Sequence, residues 1–214
     1  MIKKTLSHYK SLRYDRNFYV QCGIGVIFLV GAMLIDFVAN SYTTRHVGMS
    51  VNDLILDHIP VLNLDDVFLE GAFIFTGFVL LIMFYRPRGI PFITKTIALF
   101  FIIRSFFLVL THLAPPAHQI HIYAGDIVRK LTSGDDLFFS GHTGFPFLMA
   151  LMFWHDKWLR YAFLLACLIF ASAVLFAHLH YSIDVFSAFF ITYGIYHIAL
   201  RIFKRDHEYF KEEV

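Results

Sequence analysis

Long apolar runs separated by short polar segments dominate the chain. Six such runs occur, at about 18–40, 67–85, 91–113, 139–154, 158–178 and 183–203. A helix needs roughly 20 mostly apolar residues to cross the hydrocarbon core of a bilayer. The first, third, fifth and sixth runs meet that length plainly. The second begins among Asp65, Asp66 and Glu70 and is free of charge only from Ala72 to Tyr85. The fourth is short, and it spans only if its polar Ser140-Gly141-His142 turn lies at the membrane surface. The pattern predicts an all-α, polytopic integral membrane protein folded as a six-transmembrane-helix bundle.

Composition strengthens this reading. Of 214 residues, 58% are hydrophobic and 16% are charged, and 26 are phenylalanine. A soluble domain carries about 45–50% apolar and about 25% charged residues. Cys22 and Cys167 both lie inside apolar runs, so no disulfide framework is implied. The first run follows a long basic stretch and precedes no small-residue cleavage site, so it is expected to stay in the protein as a span. No internal repeat or flexible linker divides the chain. One membrane domain is expected over 18–203, with a basic tail at 1–17 and a second tail at 204–214.

Charge then orients the bundle. Lys3, Lys4, Lys10, Arg13 and Arg16 precede the first span, and Arg86, Arg88 and Lys95 fall in the second-to-third connection. Lys157 and Arg160 lie between the fourth and fifth spans, and Arg201, Lys204, Arg205 and Lys211 lie at the C-terminal end. In a six-span arrangement these segments share one side, leaving Arg45, Arg129 and Lys130 opposite. The positive-inside rule makes that shared side, with both termini, cytoplasmic. The acids of the first loop (Asp53, Asp57, Asp65, Asp66) read as a solvated surface.

Two polar clusters fall on the opposite, extracytoplasmic face. One is "DDLFFSGHTGFPF" at 135–147, and the other is "AHLHYSID" at 177–184. His180 and Asp184 are four apart, so on a helix they share a face. A carboxylate that takes one ring N–H sets the tautomer and leaves the other nitrogen as a directed nucleophile or base. His142 stands opposite, where Ser140 is a good N-cap and a helix N-terminus offers N–H groups to an anion. Two imidazoles, one carboxylate and a helix N-terminus suit phosphoryl transfer, with one ring attacking phosphorus and the other protonating the departing oxygen. Arg104, inside the third span, must face the bundle interior and have a partner. It either reaches a phosphate at the outer face, or forms a structural ion pair with Glu70 or Asp36.

Plainer readings stand beside these. His142 can serve as a backbone cap, and an isolated H-x-x-x-D is a weak pattern. His112, His118, His121 and His178 lie on the outer side but lack the spacing of a zinc motif, so no metal or other cofactor is expected. The stripe "FLEGAFIFTGF" reads as lipid-facing packing. A transporter using His142, His180 and Asp184 as a proton relay is the alternative of another class.

"FSGHT" at 139–143 and "HYSIDV" at 180–185 resemble the type 2 phosphatidic acid phosphatase superfamily, and within it the sphingomyelin synthase-like branch. Asp136 stands four residues before Ser140, as the branch has an acid there, and Ser182 replaces a threonine. Arg104, Thr111 and Pro116 fit a third, softer pattern on the third span. The resemblance covers roughly 60 to 205. It departs in lacking K-x6-R-P, and in having Gly134 and Asp135 where the branch has cysteine and glycine.

The resemblance implies His142, His180 and Asp184 as catalytic residues. It implies Arg104, Ser140 and Gly141 around the phosphate, and Asp136, Tyr181 and Thr111 as headgroup contacts. The expected reaction moves a phospho-headgroup, such as phosphocholine, from a membrane phospholipid donor to a lipid alcohol such as ceramide or diacylglycerol, through a phosphohistidine. With water as acceptor the same site is a lipid phosphatase or phospholipase C-like hydrolase. Nucleic acid is not an expected partner. A bacterial inner membrane, with the site on its extracytoplasmic face, is the expected location.

Overall fold

Capping side chains fix where several helices begin. Asp15 accepts the Phe18 amide at 3.0 Å and opens α1 (Arg16–Arg45). Two further spans, α2 (Asp65–Tyr85) and α3 (Ile90–Leu110), flank a tight turn at Pro87–Gly89. Ser140 caps α4 (Gly141–Met152), its Oγ accepting the Thr143 amide at 3.3 Å, as its place at the start of the fourth run implied. Asp156 takes the amides of Trp158 and Leu159 and starts α5 (Lys157–Phe176). The chain continues with α6 (Ser182–Ile202) and a short α7 (Lys204–Lys211). The computed structural model describes residues 9–10, 12–116 and 138–212, and no strand occurs among them.

Five of these helices, α1, α2, α3, α5 and α6, are long and apolar enough to cross a membrane. Their bounds follow the apolar runs to within a few residues, except that α1 continues to Arg45. The fourth run forms a helix of only 12 residues, about 18 Å at the helical rise. It is walled in by its neighbours, with Leu148, Met149 and Ala150 wholly buried, so it has little contact with lipid to satisfy.

Packing is closest between α1 and α3, where Gly25 lets the backbones approach. A Cβ added there would lie 2.2 Å from Thr94 Oγ1. Small residues at such crossings are the usual means of helix association in lipid. Gly25→Ala is therefore expected to cost about 1–3 kcal/mol through overpacking, read as a lower unfolding temperature of the detergent-solubilised protein. The core that α4 completes is built from phenyl rings set edge to face. Phe100 and Phe139 lie 5.5 Å apart at 88°, and Phe75 and Phe170 lie 5.9 Å apart at 87°. That arrangement suits the quadrupole of each ring and gives part of the unusual phenylalanine content a structural role.

Contacts at the helix ends show how the chain runs. At one end Arg86 pairs with Asp156 and Arg88 with Glu212, while Phe210 packs under Gly89. At the other end the Gly48 amide bonds His112 O at 2.9 Å, the Leu62 amide bonds Phe176 O at 2.8 Å, and the Ser140 amide bonds Asp184 O at 3.1 Å. The starts of α4 and α6 thus share an end with the finishes of α1, α3 and α5.

Two expectations change at the first of these ends. Lys95, counted as a connection charge, sits inside α3, buried, bonding Asp206 at 2.7 Å and Gln21 at 2.6 Å. Segment 204–211, expected as a tail, is a helix that buries Asp206 and Phe210 against the bundle. A buried ammonium needs a partner, and Asp206 supplies it by folding back.

Candidate active site

The turn before α6 carries the second polar cluster, and its shape follows from how α5 ends. His178 adopts the left-handed conformation, with φ 52°. The Leu179 amide then reaches Val174 O at 2.9 Å, and the His178 amide reaches Leu175 O at 3.0 Å. This pair of bonds closes a helix in which glycine usually holds the left-handed position; histidine is among the residues that tolerate it. The reversal brings His180 back over the bundle. His180 is buried, 4% exposed, and Asp184 is wholly buried.

The two do not share a helical face, since α6 begins only at Ser182. The four-residue spacing acts instead through a turn, in which Asp184 Oδ2 accepts the Tyr181 amide at 2.9 Å and lies 3.6 Å from His180 Nδ1. That is an ion-pair separation, slightly beyond a formed hydrogen bond. Catalytic contacts commonly tighten when substrate binds.

Asp53 corrects the reading of the first loop. It is buried, 8% exposed. Its Oδ2 accepts the Ser182 amide at 2.7 Å, while Oδ1 accepts the amides of Ile55 and Leu56 at 2.9 and 3.1 Å. Burial opposes its ionisation, but the Ser182 amide, then those of Leu56 and Ile55, outweigh that and hold the carboxyl below the usual range. A lowered carboxyl pKa adds stability above the ordinary value near 3.8 and loses it as pH falls through the lowered one. Asp57 and Asp66 are exposed, as expected. The Tyr181 hydroxyl is also committed locally. It donates to Ala114 O at 2.8 Å and accepts the Val51 amide at 3.2 Å, with the residue 1% exposed. Thr111, expected near a headgroup, terminates α3 and donates to Phe107 O at 3.3 Å.

On the α4 side, Arg104 lies beside the helix N-terminus. Its Nε donates to Phe139 O at 3.1 Å, and a Cβ added to Gly141 would sit 3.2 Å from that nitrogen. Its Nη1 lies 3.4 Å from Asp36 Oδ1, which also accepts the Ser105 hydroxyl at 3.0 Å. Of the two ion-pair partners the sequence offered, Asp36 is the one engaged, and Glu70 is exposed. The amides of Gly141 and His142 precede the first helical bond, which runs from Gly144 to Ser140. Ser140 itself is wholly buried, and its Oγ meets both the amide and hydroxyl of Thr143.

Arg104, Gly141 and His142 line a cavity of about 200 Å³ whose walls include Phe68, Phe75, Phe100, Phe101, Phe145 and Phe170. His142 packs against Phe68, with ring centroids 4.0 Å apart and planes tilted by 30°. Phe68 belongs to one buried apolar cluster with Leu179 and Val185, which flank His180 and Asp184 in sequence. The two motifs, nearly forty residues apart, are joined by the Ser140–Asp184 backbone bond and flank this cluster, while His180 and Asp184 do not line the cavity itself.

The stripe "FLEGAFIFTGF" divides accordingly. Phe73 and Ile74 face outward, but Phe68 and Phe75 are buried in the cavity wall, which the apolar pattern could not distinguish. Among the described residues no three His, Cys, Asp or Glu side chains come together as a metal site. Asp136, His118 and His121 lie outside the described residues.

Residues 134–201 match the family model described as PAP2 superfamily C-terminal. The match supports the PAP2 superfamily. It contains both polar motifs, α4, α5 and nearly all of α6, and it points to a lipid phosphatase or phosphotransferase type of function. The chain matches no curated protein and no solved structure.

Proposed function

We propose that this protein is a metal-independent lipid phosphotransferase of the sphingomyelin synthase-like kind. It moves a phospho-headgroup from a membrane phospholipid to a lipid alcohol at the extracytoplasmic face. The observation that carries the reading is the phenyl-lined cavity with Arg104, Gly141 and His142 in its wall. Apolar walls suit acyl chains, and a guanidinium beside a helix N-terminus suits a phosphate.

In this reading Asp184 holds the Nδ1–H of His180, and Nε2 attacks phosphorus. The bond from phosphorus to the glycerol oxygen breaks, and the His142 imidazolium gives that oxygen its proton. The phosphohistidine is then attacked by the acceptor hydroxyl, whose proton returns to His142 as the P–N bond breaks. Arg104 and the first-turn amides of α4 neutralise the phosphoryl oxygens, an electrostatic effect worth about 10²–10³ in rate per donor. The dry walls favour a lipid hydroxyl over water as acceptor; a water acceptor makes the same site a hydrolase.

The test is incubation of purified protein with fluorescent ceramide and phosphatidylcholine in the presence of chelator, with products resolved by chromatography. Sphingomyelin formation is expected. Diacylglycerol with free phosphocholine would make the enzyme a hydrolase. No turnover of either lipid, with pH-dependent uptake altered by His180→Ala, would replace the enzyme with a proton-relay transporter.

A further inference from the structure

Two consecutive backbone amides follow His180, and each is held by a carboxylate. The Tyr181 amide goes to Asp184 Oδ2 at 2.9 Å, and the Ser182 amide goes to Asp53 Oδ2 at 2.7 Å. The first acid is local. The second comes from a loop 129 residues away in sequence. We propose that Asp53 is a positioning residue for the His180–Asp184 pair, capping α6 across the molecule so that Asp184 stays turned toward the imidazole.

Two amide donors at the start of α6 compete for carboxylate acceptors. A helix start leaves several amides without helical partners, and an acid at the third position readily folds back onto them. Tyr181, the residue preceding α6, has no cap to offer, because its hydroxyl is spent on Ala114 and Val51. Without Asp53, Asp184 would be the one acid on hand for both amides. Its Oδ2 accepts from Tyr181 N and lies 3.6 Å from His180 Nδ1, while its buried Oδ1 has no hydrogen-bond partner among the described residues and is the oxygen a released Ser182 amide would draw, turning the carboxylate. Any shift toward Ser182 lengthens that contact and frees the ring to turn. Asp53 is itself held in place, since Oδ1 bonds the amides of Ile55 and Leu56, and Leu56 is buried in one cluster with Tyr181.

This inference rests on His180 as the nucleophile for its kinetic consequence, but not for its structural one. Asp53→Ala is expected to lower kcat for headgroup release by about 10–100-fold with KM within about twofold, because the cavity walls that hold lipid are untouched. Asp53→Asn keeps one acceptor oxygen, but its NH2 cannot accept, so it can hold the Ser182 amide only by giving up those of Ile55 and Leu56, and it is expected to recover kcat only in part. Amide hydrogen exchange of the same variants in detergent supplies the second readout. Asp53→Ala should expose the amides of 180–184 to exchange and leave those of α3 protected. Unchanged exchange at 180–184 overturns the proposal whether or not the protein turns over lipid. If exchange rises as expected and wild-type protein releases no headgroup, the positioning role stands and the assignment of catalysis falls.

Discussion

If His180 is the nucleophile of the proposed reaction, His180→Ala is expected to abolish headgroup release, lowering kcat by about 10⁴-fold or more, as removal of a nucleophile that works as part of a unit generally does. The variant should still bind lipid, because His180 is absent from the wall of the phenyl-lined cavity. His142→Ala is expected to lose less, about 10²–10⁴, the range of a general acid. The two separate cleanly with a p-nitrophenyl phosphodiester, whose leaving group departs without a proton. On that substrate His142→Ala recovers release of p-nitrophenol, and His180→Ala does not. An acid-labile, base-stable phospho-adduct should form in wild-type protein given labelled donor, and be missing in His180→Ala. Retention of a tenth of wild-type activity by His180→Ala would remove the nucleophile from the mechanism.

Arg104→Met comes next in size, lowering kcat by about 10²–10³ through loss of charge stabilisation at the phosphoryl oxygens. Arg104→Lys is expected to recover little. The guanidinium reaches Phe139 O through Nε and Asp36 through Nη1, a fork that one ammonium cannot reproduce. Stability and rate should part company here. Arg104→Met leaves Asp36 without its cation inside the bundle, so the unfolding temperature should fall as well. Adding Asp36→Asn removes the stranded charge and should restore the unfolding temperature but not the rate. Joint recovery of both would mean that Arg104 serves packing alone.

How far the chain could be read without coordinates differs from element to element. Helix positions were legible because burial in lipid demands a run of apolar residues of about bilayer length, and the five long helices follow such runs. Ser140 as the cap of α4 was legible because capping is local, involving Thr143 three residues on. The residue types of "FSGHT" and "HYSIDV" were visible for the same reason, since they lie together in the chain.

Contacts of long sequence separation were not. Nothing in the pattern around Asp53 tells a carboxylate that caps a helix 129 residues later from one that faces water. Lys95 reads as a connection charge until Asp206, 111 residues away, folds back to meet it. Phe68 and Phe73 belong to the same apolar stripe, yet one carries His142 and the other faces outward. By itself, then, the order of residues determined an all-helical membrane architecture and the two motifs that suit phosphoryl transfer. Only the tertiary structure decided which acid secures which amide, which phenyl rings line the cavity, and that Arg104 lies beside Gly141. The reason is physical. Hydropathy and capping act over one helical turn or one bilayer thickness, whereas a pocket is made by side chains from helices that meet only after the whole bundle has packed.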